Sequence, residues 1–297
     1  MTMNAVQTYT RRDILRMGLA AGGLLALGGC SSSSPTGPSG GGSTDFLAFN
    51  VHPYNGLYTL QLKALQAIGA TWIRTTLGLP NDIAGAYAAP PGINVLGLIG
   101  DYTHTSIDQR DWPDMLRTVI QRYPGIRYFQ ILNEPEIFYD MSNTEYVRNY
   151  LKVAHDLIRR EFPHVNIVSA APIGQYSGLV DFAQMSLAGA DDYCDYRGVH
   201  IYFEEDIVYS WSEFRLATEN PIMITETGSS NPSKHLRWWR NAIPEMKRKL
   251  NTDFVFYYTL LEQPAYTGYE IIQAELNAAG EIVPASGSEL YEYLKNS

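Results

Sequence analysis

Two apolar runs in this chain each end on a glutamate. Residues 128–136 read YFQILNEPE, with Glu134 in Asn133-Glu134-Pro135, and residues 221–228 read PIMITETG, with Glu226 directly after Thr225. A carboxyl at the end of a buried strand costs free energy unless something uses it. Two that face each other can divide the work of opening a glycosidic bond. One donates a proton to the departing oxygen, and the other, ionised, attacks or stabilises an oxocarbenium-like carbon. Arg74, late in the run 72–75, can keep a carboxylate ionised by charge and paired hydrogen bonds, and the Tyr202 hydroxyl can donate to the same group. That fixed negative charge would raise the pKa of the partner carboxyl and keep its proton near neutral pH. Pro135 biases Glu134 towards an extended backbone, so the glutamate is expected to project from the strand end rather than begin a helix.

Such residues need a frame. Apolar runs bounded by Gly, Pro or Asn recur at 46–51, 72–75, 94–99, 128–132, 166–170, 198–203, 222–225 and 254–259. Most are apolar throughout rather than alternating, the pattern of strands buried on both faces of a parallel sheet. Amphipathic segments between them predict helices over 57–68, over 113–121 with Pro113 in the first turn, and over 144–162 with Asn143 as cap. Asn231-Pro232 opens a further one to Leu250, which Pro244 should kink or break, and Ser288 can cap the last. Residues 82–88 and 181–188 are shorter candidates. Eight strand–helix alternations over residues 45–297 predict an α/β fold, a single (β/α)8 barrel. A doubly wound open sheet is the other α/β possibility, but Asn50–Tyr54 stands where its Gly-rich phosphate loop would be.

In a (β/α)8 barrel the site lies at the C-terminal strand ends. Those ends carry Asn50 and His52, Arg74, Asp101 and Tyr102, Asn133 and Glu134, His200 and Tyr202, Glu226, and the stretch from Tyr257 to Glu262. Each has a plainer reading: Arg74 as half of a structural ion pair, His200 as a hydrogen-bonded core histidine, Asp101 and Tyr102 as loop residues. Asn-Glu-Pro alone arises by chance; a second glutamate three strands later, in frame, is what makes the pair informative. Trp72 reads as core and Trp238 and Trp239 as outer-layer packing, whereas Trp211, in the long segment after the sixth strand, could offer a sugar-stacking face. The acidic run 204–206 lacks the ligand spacing of a cation loop. There is no Gly-x-Ser-x-Gly or His-Glu-x-x-His, and the six histidines are scattered, so neither an acyl-hydrolase elbow nor a catalytic zinc is expected, and no metal or cofactor.

These residues resemble the clan A (β/α)8 glycoside hydrolases, the group of many cellulases, mannanases and β-glycosidases. The likeness rests on Asn133-Glu134-Pro135 on the fourth strand, Glu226 on the seventh, Arg74 on the second and His200-Ile201-Tyr202 on the sixth. It extends, as scattered short motifs, to the segment 271–290 with its turn at 277–280. The resemblance implies Glu134 as acid/base, Glu226 as nucleophile, a retaining mechanism, and Asn133 as the group that binds a substrate 2-hydroxyl. One departure is clear. Many members place a tryptophan near the end of strand eight as a sugar platform; here the strand reads FVFYYTLL, with Tyr257 and Tyr258 and no tryptophan.

The N-terminal segment reads as an export signal rather than fold. Arg11-Arg12 precede an apolar or Gly run over 17–29, too short to span a bilayer as a mature helix, and paired arginines there suggest a twin-arginine signal over residues 1–29. Leu27-Gly28-Gly29-Cys30 resembles the lipobox of bacterial lipoproteins, so Cys30 is expected to be lipidated; an ordinary cleaved signal is the plainer alternative. Residues 30–44, rich in Ser, Gly and Pro, form a tether. Of the two cysteines, Cys194 is then alone and no intramolecular disulfide is expected. The net charge of −9 counts three arginines and one aspartate in the signal, so the remaining domain is more acidic still, which argues against nucleic acid as partner. The expectation is a monomeric, lipid-anchored glycosidase of the bacterial cell envelope, cleaving β-linked oligo- or polysaccharide by retaining double displacement and touching the membrane only through its lipid. The alternatives are a non-catalytic carbohydrate-binding or envelope-interaction barrel and a transglycosylase using the same glutamates.

Overall fold

The computed structural model describes residues 46–51, 58–77, 91–100, 107–173, 176–202, 211–261, 268–276, 278 and 282–297. Eight parallel strands form the sheet: β1 (Ala48–Asn50), β2 (Trp72–Thr76), β3 (Asn94–Ile99), β4 (Tyr128–Ile131), β5 (Asn166–Ser169), β6 (Arg197–Ile201), β7 (Ile222–Thr227) and β8 (Val255–Tyr257). Their spatial order is β5-β4-β3-β2-β1-β8-β7-β6, so β1 pairs with both β2 and β8 and the sheet curls round on itself. The seam between β5 and β6 is held by a bridge from Val168 to Tyr196, by the Gly198 N–H donating to Ser169 Oγ at 3.1 Å, and by the Ser169 N–H donating to Tyr196 O at 2.9 Å. The chain is thus a nearly closed (β/α)8 barrel, as its alternating pattern predicts.

The helices wrap this barrel. They are α1 (Tyr58–Ala67), α2 (Trp112–Arg122), α3 (Pro135–Phe138), α4 (residues 143–161), α5 (Tyr176–Leu187), α6 (Trp211–Leu216), α7 (residues 232–250) and α8 (Glu289–Lys295). Ser142, not Asn143, caps α4: its hydroxyl accepts from the Glu145 N–H, while Asn143 is buried one step inside and donates to Asp181 and Gln184. Pro244 does not end α7. The helix widens to a π-turn over Trp238–Ala242 and resumes as α-helix at Ile243, so the proline falls in a first turn, where its missing N–H costs little. Ser288 caps α8 as expected, accepting from the Tyr291 N–H. A hairpin of β9 (Ile272–Leu276) and β10 (Ile282–Gly287) precedes that helix. Residues 82–88 lie outside the described residues.

Strand alternation sorts the apolar side chains into two cores. Outward-facing Phe49, Ile73, Phe129, Ile131, Val199 and Ile224 pack against the helices. Inward-facing Ala48, Leu96, Val168, Tyr196, Met223 and Phe256 fill the barrel, and Phe46, Trp72, Tyr128 and Phe254 stack edge-on across its N-terminal end. The next inward layer towards the C-terminal ends is polar, with Asn50, Arg74, Gln130 and His200 all buried. The barrel is therefore plugged with aromatic rings at one end and charged at the other. Among the described residues no helix is long and apolar enough to cross a membrane.

Candidate active site

Arg74 sits at the hub of this polar layer. It is 3% exposed, opposite Asn50 in the β1–β2 register. Its Nε donates to Gln130 Oε1 at 2.7 Å, its Nη1 to Asn50 Oδ1 and Glu226 Oε1, both at 2.6 Å, and its Nη2 to Asn133 Oδ1 at 2.7 Å. A buried guanidinium is tolerated only with partners, and its rigid fork suits several acceptors at fixed angles. Three residues on β1, β4 and β7, and Asn133 just past the end of β4, are thereby locked to β2. Gln130 was missed from the sequence. It stands as one polar residue within an apolar run, in step with the inward-facing Tyr128, and that phase was the available signal.

The fourth strand departs from strict alternation to deliver its two residues. Phe129 and Ile131 face outward, so an unbroken strand would turn Asn133 outward too. Leu132 instead adopts φ 63° and Glu134 φ 39°, both left-handed. The first turn swings the Asn133 amide onto Arg74 and the second redirects Glu134. This corrects the expected effect of Pro135: Glu134 is not extended, and α3 begins directly after it. Non-glycine residues in the left-handed region cost of order 1–3 kcal/mol each and persist where surrounding structure holds them. Here the Glu134 N–H donates to Ala171 O, past the end of β5, at 3.1 Å.

A β-bulge aims the second glutamate. Val199 pairs with Ile224, but the next residue, His200, pairs with Glu226, leaving Thr225 as an extra residue in β7. The β8 register slips at the same place. Met223 faces inward, so without the extra residue Glu226, three further on, would face outward. The carbonyl of Thr225 accepts from Asn50 Nδ2 at 3.0 Å, which ties the bulge to the Arg74 network.

Glu226 is 7% exposed with both oxygens bonded: Oε1 to Arg74, and Oε2 to the Tyr202 hydroxyl, which donates to it. Burial works against its ionisation. The charges of His200 and Arg74 and the donated hydrogen bonds outweigh that, and the carboxyl is held below its usual range. Burial, followed by the Glu226 charge, pushes Tyr202 well above the ordinary phenol, so it stays a donor. His200 lies between the carboxyls, its Nδ1 2.8 Å from Glu134 Oε1 and its Nε2 3.5 Å from Glu226 Oε1. One carboxylate is thus fixed and charged, with the other reached through a single imidazole.

Asn50, Arg74, Asn133, Glu134, His200, Tyr202 and Glu226 therefore come together at one end of the barrel. Tyr257 does not join them. It points outside the sheet, fully buried between Phe49, Trp239 and His235, because Phe256 before it takes the inward position. The tyrosine that comes to the site is Tyr258, with Tyr269 beside it. Their rings stand 5.9 Å and 5.3 Å from that of Tyr202, edge to face, and 5.9 Å from each other. His52, Asp101, Tyr102, Cys30 and residues 204–206 lie outside the described residues, and Trp211 begins α6 with its side chain likewise outside them. Trp72 lies in the barrel plug, and Trp238 and Trp239 lie in the outer layer. Burial pushes the Cys194 thiol up to about 12, and it donates to Ala190 O. Among the described residues no three His, Cys, Asp or Glu side chains group as metal ligands.

No family model matches the chain, and no curated protein matches it. Solved structures do. A β-glucosidase from Thermotoga maritima in complex with azafagomine is 9% identical with a TM-score of 0.63, over 86% of this chain and 98% of that one. The catalytic domain of the GH30 xylanase C from Talaromyces cellulolyticus is 14% identical with a TM-score of 0.55, over 84% and 74%. A GH2 β-galacturonidase from Eisenbergiella tayi bound to galacturonate is 17% identical with a TM-score of 0.56, over 84% and 50%. At these identities the likeness is one of fold: the chain shares with these structures a (β/α)8 barrel.

Proposed function

We propose that the protein is a retaining glycoside hydrolase acting on β-linked oligo- or polysaccharide. The observation that carries this reading is Glu226, a buried carboxylate held ionised by His200, Arg74 and Tyr202 at the same barrel end as Glu134. With both oxygens already bonded, Glu226 is suited to attack carbon rather than to carry a proton. Glu134 protonates the departing glycosidic oxygen while Glu226 bonds to the anomeric carbon. Glu134 then takes a proton from water, which attacks that carbon and releases Glu226. Water is the only co-reactant either step needs. Asn133, pinned by Arg74 through its oxygen, keeps its amide N–H groups for a sugar hydroxyl beside the reacting carbon. Tyr258 and Tyr269 supply an aromatic surface beside Tyr202, the donor to Glu226.

The test is a panel of β-linked polysaccharides and aryl β-glycosides with the anomer of the first product read by NMR. A β-anomer supports double displacement, and an α-anomer overturns it. A crystal structure with the Glu134 and Glu226 carboxyls about 5–5.5 Å apart fits retention, whereas a separation beyond about 6.5 Å fits inversion.

A further inference from the structure

Glu136, two residues past Glu134, takes no part in the Arg74 network. It lies on α3, and its Oε1 accepts from the Ile173 N–H at 2.6 Å. Glu134 donates its own N–H to Ala171 O. These two bonds fall on either side of Pro172, which has no N–H to give, so the strained turn is tied to the end of β5 at two points. Ile173 is in turn fixed from its far side. A Cβ on Gly178 would sit well inside contact distance of the Ile173 carbonyl oxygen, so the α5 backbone lies directly against that peptide. The second oxygen of Glu136, Oε2, is buried without a hydrogen-bond partner among the described residues. Such a group is costly in a purely structural role, where an apolar or fully bonded side chain would serve better. Burial pushes its carboxyl upward against the opposing pull of the Ile173 N–H, and the charges of Asp181 and Glu134 add to the rise.

We propose that Glu136 is a positioning residue for Glu134: its bond to Ile173 holds the left-handed turn and so sets the direction in which Glu134 delivers its proton. The proposal rests on the reading of Glu134 as acid/base. It requires an acceptor oxygen at the reach of a glutamate, not a negative charge.

The experiment measures kcat/KM, which reports the first step, for aryl β-glycosides with leaving groups from dinitrophenol to plain phenols. The proteins are wild type and the Glu136→Ala, Glu136→Gln and Glu136→Asp variants. Glu136→Ala should lose about 10–100-fold on the poor leaving groups that need protonation, and no more than about threefold on dinitrophenyl substrates. Glu136→Gln, whose amide oxygen accepts the same N–H, should restore the wild-type dependence. Glu136→Asp, one methylene short, should behave like Glu136→Ala. If Glu136→Ala does not fold, the Gln and Asp variants decide the matter alone. A uniform fall across all leaving groups, no fall in the Ala or Asp variant, or a Gln variant as impaired as Asp each overturns the proposal. Wild type without activity on the panel, or Glu134→Gln as active as wild type, sinks the glycosidase reading and this proposal with it. An active wild type, an impaired Glu134→Gln and an unresponsive Glu136 series sinks the positioning role alone.

Discussion

Arg74 gathers four acceptors on one side chain, and the proposed division of labour between the glutamates follows from which of them it touches. It binds Glu226 directly, so Glu226 is the anion. Replacing Glu226 by Gln should abolish turnover, while Glu134→Gln should be least impaired on substrates with good leaving groups. Azide separates the roles further. With Glu134→Ala it should attack the glycosyl-enzyme and give a β-glycosyl azide from a β-substrate. With Glu226→Ala it should attack the substrate itself and give the α-azide. NMR of the two azides reads the outcome, and the reverse pairing would mean that acid/base and nucleophile are exchanged. Tyr202 offers a pH test. The Glu226 carboxyl is depressed in the folded protein, so its contribution to stability is full above the unfolded value of about 4.3 and is lost as pH falls through the lower folded value. Tyr202→Phe removes a donor to the ionised form, so the folded value rises. The acid limb of kcat/KM should then move to higher pH, by about one unit. A limb that stays in place would show that Arg74 and His200 set the ionisation without it.

The elements were more legible in the sequence than the turns between them. The eight barrel strands could be found because a parallel strand buried on both faces is an apolar run whatever its register, whereas the antiparallel hairpin of β9 and β10 could not. Departures from the two-residue period left no such trace. The extra residue at Thr225 and the left-handed Leu132 and Glu134 are backbone events at residue types that do not advertise them, and Pro135 pointed the other way. Tyr257 shows the same limit: nearness to a strand end does not fix the face, and Phe254 and Phe256, which define the inward phase of that strand, turn Tyr257 outward. Gly178 is the position at which this level can be tested. A methyl group there has no room against the Ile173 peptide, so Gly178→Ala must push α5 off the end of β5. We expect a loss of about 1–3 kcal/mol in stability, the usual cost of overpacking, measured by denaturant unfolding. An unchanged midpoint would show that the helix start gives way freely.

At the scale of the whole molecule, the proposed anchoring concerns the chain ahead of Phe46. We propose that Cys30 carries lipid, from the Leu27–Cys30 motif and the Ser/Gly/Pro-rich stretch that follows. Intact mass of membrane-extracted protein should show a diacylglycerol-modified cysteine at the mature N-terminus. An unmodified Cys30, or Cys30→Ala remaining in the membrane fraction, counts against it.

The aromatic plug then acquires an orientation. Phe46 lies within that plug, at the end of the barrel away from Glu134 and Glu226, so the chain enters at the closed end. Fifteen residues separate Cys30 from Phe46. Fully extended they reach about 50 Å, and a linker of that composition has a typical reach of roughly 20 Å. On the proposed anchoring, lipid and glutamates then belong to opposite ends of the barrel, with the tether joined at the sealed base. The attachment proposed would therefore leave the mouth clear, since no part of the tether has to cross the end that carries Glu134 and Glu226.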